Sequence, residues 1–474
     1  MRVHQLLAAL SYGDAIGNEA LAIQRHLRAA GHESDIFAEM VNPRVAHLAR
    51  PLWEYQEVSS PDTVCIFHFS IGSAAGRLVH HAPDRLVIVY HNITPAYFFL
   101  GFHPHLAGLC HHGRRELEAF APRTELALGD SELNRRELEE AGFARTAVLP
   151  IVLDLSLYDR PPSPVVRGLY DDGRTNVLFV GRIIPNKRID DLVRSFAVFQ
   201  KWVRPRSRLL LVGDHRGFER YYDRLQELVR ELRLDEVVFT GQVDDDELYA
   251  YYRLADVFLC LSEHEGFGVP LQEAMHFGLP VIAYDAGAVR ETLRGGGLLL
   301  QDKRPEVVAD LLDRLTRGGD LRRAVLASQK DAIAGIRSTD FGALLRERLS
   351  PVLGSPDPRG TRVALSNDLS RPALSRDANG SASAPRQGPG EGLFRSPVRP
   401  GEAVIPTSPV GPSDLVIPTS PVGPSEEGSA VEGGEEAEGL APSGALRAEA
   451  GGPALPEALR DGKILRDPST GSRS

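Results

Sequence analysis

The chain has 474 residues and a net charge of −10. Before residue 355 it carries 42 basic and 48 acidic residues, a balance that predicts no general attraction to nucleic acid. No run of 18 apolar residues occurs, so the sequence predicts no transmembrane helix.

The first 160 residues alternate short apolar runs with stretches of helical period, a rhythm typical of parallel sheets flanked by helices. Strands are predicted at Val3–Ala8, Asp35–Ala38, Val64–Phe69, Leu86–Tyr90 and Ala147–Leu149. Helices are predicted between them, including Glu19–Ala30 and Glu132–Ala141. Cys65 lies in one of the apolar runs and Cys260 in another further along the chain, which indicates buried free thiols.

The rhythm breaks at Asp159–Gly173, where three prolines in four residues indicate an interdomain linker. It then resumes with strands predicted at Val177–Val180, Leu209–Val212, Val237–Phe239, Val257–Leu261, Val281–Tyr284 and Leu298–Leu300. The intervening helices include Asp190–Lys201, Phe218–Leu232, Glu247–Leu254, Leu271–Phe277 and Pro305–Leu315, and a last helix is predicted near Phe341–Leu353.

The predicted fold is therefore α/β, with two Rossmann-like parallel-sheet domains facing a central cleft. The domains are predicted at residues 1–160 and 161–353, the second including the last helix. Residues 354–474 are predicted to be a disordered tail, because Gly and Pro make up 34 of the 120 residues from 355 onward and Phe394 is the only aromatic residue there. The tail contains two copies of VIPTSPVGPS, at 404–413 and 416–425. In open α/β sheets ligands bind at the carboxyl ends of strands, so the cleft is the expected site.

Two cations follow the predicted strand Val177–Val180. The segment GRIIPNKR (181–188) places Arg182 and Lys187 on a loop that opens the next helix. A forked guanidinium and a compact ammonium at this position suit a diphosphate. Solvated loop charges explain the spacing equally well. Lysine is rare in this chain, with five in 474 residues, and that rarity favours a specific role for Lys187.

The segment HEGFGVPLQEAMHFGLPVIA (264–283) combines two acids with a glycine turn. Glu265 follows the apolar run DVFLCLS, and the GFG turn leads into the helix that carries Glu273. Gly268 permits close backbone approach, and a helix N-terminus offers N–H groups to an anion or a sugar hydroxyl. The alternative is a surface acid and a favourable helix-terminus charge. The context of strand, glycine turn and helix favours a site in which Glu273 reaches a ribose diol.

Two segments of the first half are weaker candidates. SYGDAIGNEA (11–20) places Gly17 near a strand-to-helix turn, which suits a phosphate or an acceptor but lacks the GxGxxG pattern of dinucleotide binding. VYHNITPAYFF (89–99) places His91 at the end of an apolar strand, where it faces the predicted cleft. A tight turn and a structural histidine are the respective alternatives.

A protein-bound metal is not expected. The first half holds 12 of the 15 histidines, but no spacing matches a zinc motif. The acidic run Asp244–Asp246 could be taken for a metal-binding DxD motif. It is followed by Glu247 at a helix start, and Asp244 with Glu247 forms the D-x-x-E pattern of a capping box, which is the preferred interpretation.

The second half resembles the retaining glycosyltransferases of family 4, which have the GT-B fold. The resemblance covers Asn176–Glu291 and rests on GRIIPNKR, LLLVGD, FTGQVDDDEL and the stretch YYRLADVFLCLSEHEGFGVPLQEAMHFGLPVIAYDAGAVRETL. It is looser in the first half, through the opening glycine turn and YHNITPAYFF. The resemblance implies that Arg182 and Lys187 neutralise the donor diphosphate, that Glu265 acts at the sugar ring and that Glu273 binds the ribose. It further implies donor contacts from His91 near the reacting carbon, from Gly17, and from Phe267, Gly268 and Val269.

The resemblance implies transfer of a hexose, with mannose as the first candidate, from a UDP- or GDP-sugar to a glycan or lipid-linked glycan in polysaccharide biosynthesis. It implies no cofactor and no metal, since the two cations take that role. The implied location is the cytoplasm, and peripheral association with the inner face of a membrane is left open. A nucleotide-sugar epimerase and a non-catalytic sugar-nucleotide-binding scaffold are the alternative functions.

Overall fold

The structure, a computed structural model, describes residues 1–153 and 155–354. Within this part the chain forms two parallel β-sheets, each with helices on both faces, as the sequence predicts. No helix among the described residues is both long and apolar enough to cross a bilayer. The predicted tail lies outside the described residues from Ser355 onward.

The first sheet has seven strands in the order β3-β2-β1-β4-β5-β6-β7. Its strands are β1 (Val3–Leu10), β2 (Ile36–Val41), β3 (Arg50–Pro51), β4 (Val64–Phe69), β5 (Arg85–Tyr90), β6 (Thr124–Gly129) and β7 (Thr146–Val148). The helices between them are α1 (Ala15–Ala29), α2 (Ala74–His81), α3 (Pro104–Phe120) and α4 (Glu132–Glu140). All strand pairs are parallel, so the loops at the carboxyl ends meet along one edge.

The second sheet has six strands in the order β10-β9-β8-β11-β12-β13. Its strands are β8 (Thr175–Val180), β9 (Ser207–Val212), β10 (Val237–Gly241), β11 (Val257–Cys260), β12 (Val281–Tyr284) and β13 (Leu298–Leu300). The helices in this half of the chain are α5 (Pro164–Tyr170), α6 (Ile189–Val198), α7 (Glu219–Glu231), α8 (Asp245–Leu254), α9 (Val269–His276), α10 (Val289–Leu293), α11 (Pro305–Thr316), α12 (Asp320–Arg337) and α13 (Phe341–Leu353).

The second sheet is buried on both faces because successive strand residues point to opposite sides. Leu209 and Leu211 share one core with side chains of α6, α7 and α11. Leu210 packs on the other face, in a core with side chains of α8, α9 and α12. The two groups of helices therefore lie on opposite faces of the sheet, with the carboxyl edge of the strands between them.

The last helix returns to the first sheet. Apolar side chains of α13 share a core with residues of β1, α1, β4, β5 and β6, including Val3 and Ile23. The Arg348 guanidinium also donates to the Val148 carbonyl of β7 at 3.0 Å. This helix was assigned to the second domain on sequence position, and its packing partners are in the first. The exact domain limits stay a prediction.

The two sheets are in contact through the loops at their carboxyl edges. The Ser131 hydroxyl donates to the Gly266 carbonyl at 3.0 Å. The Glu132 backbone N–H, at the start of α4, donates to the Glu291 carboxylate. The rings of Phe99 and Phe218 lie 5.4 Å apart between centroids. Apolar and polar contacts thus hold the two domains together.

Some elements differ from expectation. Helix α1 begins at Ala15 rather than Glu19, because the Asp14 carboxylate caps it by accepting from the Gly17 N–H. The linker contains the helix α5, which packs on α8 and starts at a proline. The strands β3 and β6 were not predicted; β6 (TELALG) opens with two polar residues and was too short an apolar run to stand out.

Candidate active site

Lys187 and Glu265 form an ion pair at the carboxyl edge of the second sheet. Lys187 ends the short 3-10 turn Pro185–Lys187 after β8, and Glu265 lies in the loop after the neighbouring strand β11. Lys187 Nζ lies 2.7 Å from each Glu265 carboxylate oxygen. The side chains are 20% and 9% exposed, so the pair is largely withdrawn from water. Two residues predicted to serve one donor molecule therefore meet directly.

Arg182 lies on the same loop and stays accessible to solvent. Its guanidinium lies 5.7 Å from the centre of the Phe218 ring and makes a long contact, 3.5 Å, with the Arg216 carbonyl. Enclosure by protein lowers the pKa of Arg182, and the nearby acids Asp214 and Asp14 oppose that effect. Within residues 1–153 and 155–354 no carboxylate is in hydrogen-bond contact with this cation at the cleft, which leaves its donors able to bind an anion.

The turn between Glu265 and α9 requires glycine at two positions. Gly268 has a φ of +97°, a conformation that L side chains rarely adopt, and α9 starts at the next residue, Val269. A Cβ at Gly266 would lie 2.7 Å from the Asn92 Cβ in the first domain. Between them, Phe267 is buried and its carbonyl accepts from the Thr292 hydroxyl. The turn therefore brings the backbone at the start of α9 against the end of β5.

Glu273 lies inside α9 and its carboxylate accepts two hydrogen bonds. The hydroxyls of Tyr158 and Tyr252 each donate to one of its oxygens at 2.7 Å. Burial raises the pKa of Glu273, and the two tyrosine hydroxyls work against this by stabilising the anion. The carboxylate is thus fixed in orientation, and a ribose at this position would bind to its remaining lone pairs.

His91 follows β5 with a side chain that is only 1% exposed. Its Nδ1 lies 2.9 Å from Asp130 Oδ2, and its Nε2 lies 2.9 Å from His68 Nδ1. Both ring nitrogens therefore have partners within the first domain. A direct hydrogen bond from this ring to a donor sugar would need a side-chain rearrangement. The group of His91 that faces the second domain is its backbone carbonyl, which lies beside Gly266.

The direction of the hydrogen bonds fixes the protonation of His91. Gln5 Nε2 donates to the Ala20 carbonyl at 2.9 Å, which leaves Gln5 Oε1 to accept from His68 Nε2. His68 Nδ1 must then accept, and its partner, His91 Nε2, must donate. Because His91 Nδ1 also faces a carboxylate, the His91 ring carries both protons and is a cation.

The charges around His91 agree with this assignment. Burial opposes the charged ring, but Asp130 and Glu19 outweigh it and raise the pKa of His91 to about 9. Burial and the nearby Asp130 raise the pKa of Glu19 to about 8, and burial lowers the pKa of His68 well below its usual value. At neutral pH the cluster therefore contains a charged His91 ring beside a protonated Glu19.

The sequence predicts no metal site, but one cluster of side chains has the composition to bind a metal ion. Among the described residues, Glu19, His68 and His91 place potential ligand atoms within 4.8 Å of one another. The histidine nitrogens in this cluster are already used in the hydrogen-bonded chain described above. At the acidic run, the Asp244 N–H donates to the Glu247 carboxylate at 3.0 Å in a capping box, which confirms the capping interpretation.

Gly17 lies in the first turn of α1 and is buried. Its backbone N–H donates to the Asp14 carboxylate at 3.2 Å, so the predicted donation to a phosphate would compete with the helix cap. A Cβ here would lie 2.9 Å from the Leu10 side chain. Close packing between α1 and β1 thus accounts for the glycine, and its contact with a donor stays a prediction.

Residues 167–330 match the family described as glycosyl transferases group 1. The match runs from α5 into α12 and so falls in the second half of the chain. The D-inositol 3-phosphate glycosyltransferase of Kineococcus radiotolerans is 33% identical over 237 residues, which are 45% of this chain and 53% of the relative. The GDP-mannose-dependent alpha-mannosyltransferase of Mycobacterium tuberculosis is 29% identical over 358 residues, 66% of this chain and 88% of the relative. The chain thus spans about half the length of the first of these curated relatives.

Solved structures show the same fold for this chain. The sucrose-phosphate synthase of Thermosynechococcus elongatus superposes with a TM-score of 0.58 at 20% identity, covering 74% of this chain and 98% of that one. HepE of Anabaena, in complex with UDP-glucose, gives 0.58 at 18% identity, covering 74% and 100%. The fold is therefore GT-B, as the resemblance implied.

The sequence signals located the candidate residues of the second domain and missed some of the groups that bind them. Lys187 and Glu265 meet near the start of α9, as their positions after neighbouring strand ends predict, whereas Arg182 lies on the same loop against Phe218. Tyr158 had no sequence signal, because it lies one residue before the linker and outside every predicted strand and helix. The hydrogen-bonded series Gln5, His68, His91 and Asp130 did have a sequence signal, because Gln5 and His68 are polar residues inside otherwise apolar parallel strands.

Proposed function

We propose that this chain is a retaining glycosyltransferase that moves a hexose from a nucleotide-sugar to a glycan or lipid-linked glycan. The observation that carries the proposal is the Lys187–Glu265 pair beside the start of α9 in a group 1 domain. In the proposed complex Lys187 and Arg182 bind the diphosphate, Glu265 and the turn 266–269 bind the hexose, and Glu273 binds the ribose. The donor would take the place of Glu265 as the partner of the Lys187 ammonium.

The proposed chemistry uses charge stabilisation at the leaving group. The bond between the sugar C1 and the diphosphate oxygen breaks with oxocarbenium character. The electron pair passes to the diphosphate, where Arg182, Lys187 and the N–H groups at the start of α9 stabilise the negative charge. The acceptor hydroxyl forms the new bond to C1 on the face that the leaving group vacates, which retains the anomeric configuration. Its proton passes to the departing phosphate oxygen.

The two domains would exclude water from the reaction. The contacts at Gly266, Ser131 and Phe218 already bring the carboxyl edges of the two sheets together. Exclusion of water strengthens the charge interactions at the diphosphate and limits hydrolysis of the donor. His91 would act through its backbone carbonyl and through the position of β5 rather than by proton transfer, because both of its ring nitrogens are engaged.

The donor is proposed to be GDP-mannose, with other GDP- and UDP-sugars as alternatives. The support is the similarity to a relative named as GDP-mannose-dependent alpha-mannosyltransferase, which aligns over 66% of this chain. The acceptor is proposed only as a glycan or a lipid-linked glycan, and peripheral association with a membrane belongs to the same proposal.

A thermal-shift screen against GDP- and UDP-sugars tests the donor. A ligand at a hundred times its Kd stabilises the folded state by about 2.7 kcal/mol, which a melting curve resolves. We expect one nucleotide class to stabilise the wild type and the Lys201→Ala control, and to lose most of this effect in Arg182→Ala. Stabilisation by neither class would contradict the proposal. Formation of a sugar isomer from donor alone would identify an epimerase instead.

Product stereochemistry and chelation test the chemistry. We expect an α-linked product from an α-linked donor, read by NMR of the anomeric proton. We also expect transfer to continue in excess EDTA, because side-chain cations are proposed to neutralise the diphosphate. Loss of activity that Mg²⁺ or Mn²⁺ restores would revive the acidic run Asp244–Asp246 as a metal site.

A further inference from the structure

A groove of about 500 Å³ runs between the two domains, beside the proposed donor site. We define it as the outer groove. Aromatic residues of the segment after β5, Tyr97, Phe98 and Phe102, line one wall. Side chains of α6 and α7, including Arg194 and Arg224, line the other. Its volume lies within the roughly 300–1,000 Å³ of small-molecule sites, and nothing in the proposed donor complex occupies it.

The outer groove lies on the opposite face of the second sheet from the proposed ribose ligand. Glu273 belongs to α9, which packs on one face with α8 and α12. The groove is bounded by α6 and α7, which pack on the other face. The Lys187–Glu265 pair lies between the faces, at the ends of β8 and β11. A donor that extends from Glu273 to Glu265 therefore has its sugar end toward the groove and its nucleoside end away from it.

Two contacts join the outer groove to the proposed reaction centre. Pro185, which lines the groove, begins the same turn that ends at Lys187. The ring of Phe98 lies 6.1 Å from that of His264, the residue before Glu265. A molecule bound in the groove would thus reach the neighbourhood of the sugar carbon without crossing the nucleotide site.

The charges of the outer groove favour an uncharged ligand. Its lining contains three arginines and four acids, a formal sum of −1, so it has no positive excess for a phosphate. Arg188 is already paired with Asp190 and Glu263, and the Tyr221 hydroxyl donates to Asp190. Arg224 lies over the Phe102 ring at 5.9 Å.

The shape of the apolar wall completes the argument. Tyr97 is 66% exposed, an unusual state for a large aromatic residue on a cleft wall. A sugar ring offers an apolar face for such aromatic rings and hydroxyls for the arginines and acids opposite. From these observations we propose that the outer groove binds the next sugar unit of a neutral glycan acceptor, beyond the unit that receives the hexose. This assignment rests on the proposed function.

The test is the length dependence of oligosaccharide binding to the full chain. The protein is saturated with the nucleotide that stabilises it, and titrated by calorimetry with gluco-, galacto- and manno-oligosaccharides of one to four units. We expect affinity to rise by about 10-fold or more from one unit to two or three in at least one series, as for an added aromatic-lined subsite. Tyr97→Ala should remove most of this rise and leave binding of the single unit unchanged.

The control is Trp53→Ala, which truncates an equally exposed aromatic side chain of the first domain outside the groove. This variant should keep the length dependence. The thermal shift caused by the nucleotide should be unchanged in both Trp53→Ala and Tyr97→Ala. Affinity that does not rise with length in any series overturns the proposal, as does a rise that survives in Tyr97→Ala and Arg224→Ala. Preference for phosphorylated sugars overturns it too. Failure of the proposed function would instead show as loss of nucleotide binding in the wild type.

Discussion

At the scale of single residues, the candidate site is a set of charges that satisfy one another. Lys187 binds both oxygens of Glu265, and two tyrosines bind Glu273. Such pairing keeps buried charges compensated until a ligand arrives, since an unpaired buried charge is costly. The proposed donor must therefore supply an interaction with Lys187 at least as favourable as the one it displaces.

This pairing changes what is expected of Lys187→Ala. The sequence alone predicts a loss of activity with a nearly normal melting temperature. The structure adds a stability cost of roughly 1–3 kcal/mol, because Glu265 would remain buried without its partner. We expect kcat/KM to fall at least ~10²-fold, as for loss of one transition-state donor.

Arg182→Ala separates the two effects, because Arg182 is exposed and no carboxylate in the described part of the chain is in hydrogen-bond contact with it. It should lose activity to a similar degree at a nearly unchanged melting temperature. In the double variant Lys187→Ala with Glu265→Gln, stability should recover and activity should not. Wild-type transfer rates in Lys187→Ala and Arg182→Ala would defeat the diphosphate assignment.

The cluster around His91 predicts a dependence of stability on pH. The folded pKa of His91 is raised from 6.5 to about 9, and that of Glu19 from 4.5 to about 8. The folded state thus holds more protons than the unfolded state over these windows, so the free energy of unfolding falls as pH rises from 7 to 9. His68, whose pKa is lowered, acts in the opposite direction only below its ordinary value of 6.5.

We expect chemical denaturation curves to show this loss of stability between pH 7 and 9. Glu19→Gln should flatten the part of the curve below pH 8, since glutamine stays neutral throughout. The surface variant Glu118→Gln should leave the slope unchanged. The charged assignment of His91 is wrong if the wild type gains stability over this range, because a neutral buried histidine releases no proton there.

At the scale of elements, the alternation of apolar runs and amphipathic stretches was sufficient to find the second sheet. All six of its strands were predicted, with differences of at most two residues at either end. Burial on both faces makes each strand a continuous apolar run, which is the clearest strand signal. The first sheet was harder, because β3 has two residues and β6 begins with polar ones.

The same limit applies to the candidate site. Residues placed directly after a strand, such as Lys187 and Glu265, could be brought together from the sequence because neighbouring parallel strands end at one edge. The partner Tyr158 could not, because it does not follow a strand and its contact with Glu273 depends on how two separate segments pack. Gln5 was marked by its polarity inside an apolar strand, but nothing in the sequence identified His68 as its partner. Side-chain direction between separate segments follows from packing and leaves no local pattern.

The turn at Gly266 gives a prediction at this scale. A methyl group there would meet the Asn92 Cβ at 2.7 Å and the His91 carbonyl at 3.0 Å, so Gly266→Ala forces the two carboxyl edges apart. We expect kcat to fall by at least ~10²-fold, as for an ångström-scale misplacement, while the melting temperature changes little. Gly335→Ala in α12 is the control, because a Cβ there meets nothing within 4 Å and alanine favours a helix. Equal rates in both variants would show that this approach of the domains is not needed for transfer.

At the scale of the whole molecule, the chain crosses between its two domains more than once. It enters the second domain through the linker that carries α5, and α13 brings it back to the first sheet. The end of the second domain is thereby tied to the core of the first. This tie restricts how far the two sheets can separate, and it makes the last helix part of the first domain's stability rather than an appendage of the second.

Two shortened chains test this arrangement. A chain that ends at Gly354 keeps every residue of the candidate site and all of α13, so its melting temperature should lie within about 2 °C of the full chain, the range of surface changes. Its transfer activity should be retained. A chain that ends at Thr339 loses the four apolar side chains that α13 buries against the first sheet, Phe341, Leu345, Leu349 and Val352.

Each of those side chains contributes about 1.5–3 kcal/mol by burial, so their sum is comparable to the ~5–15 kcal/mol by which proteins are stable. We therefore expect the shorter chain to lose the cooperative unfolding of the first domain, with amide exchange rising in β1 and β5. Leu345→Ala provides an intermediate point, at about 2–5 kcal/mol. If the chain ending at Thr339 melted like the full chain, the contact between α13 and the first sheet would not contribute to folding. In that case the linker alone would have to hold the two domains in register, and separation of the sheets would be free to limit the rate of transfer.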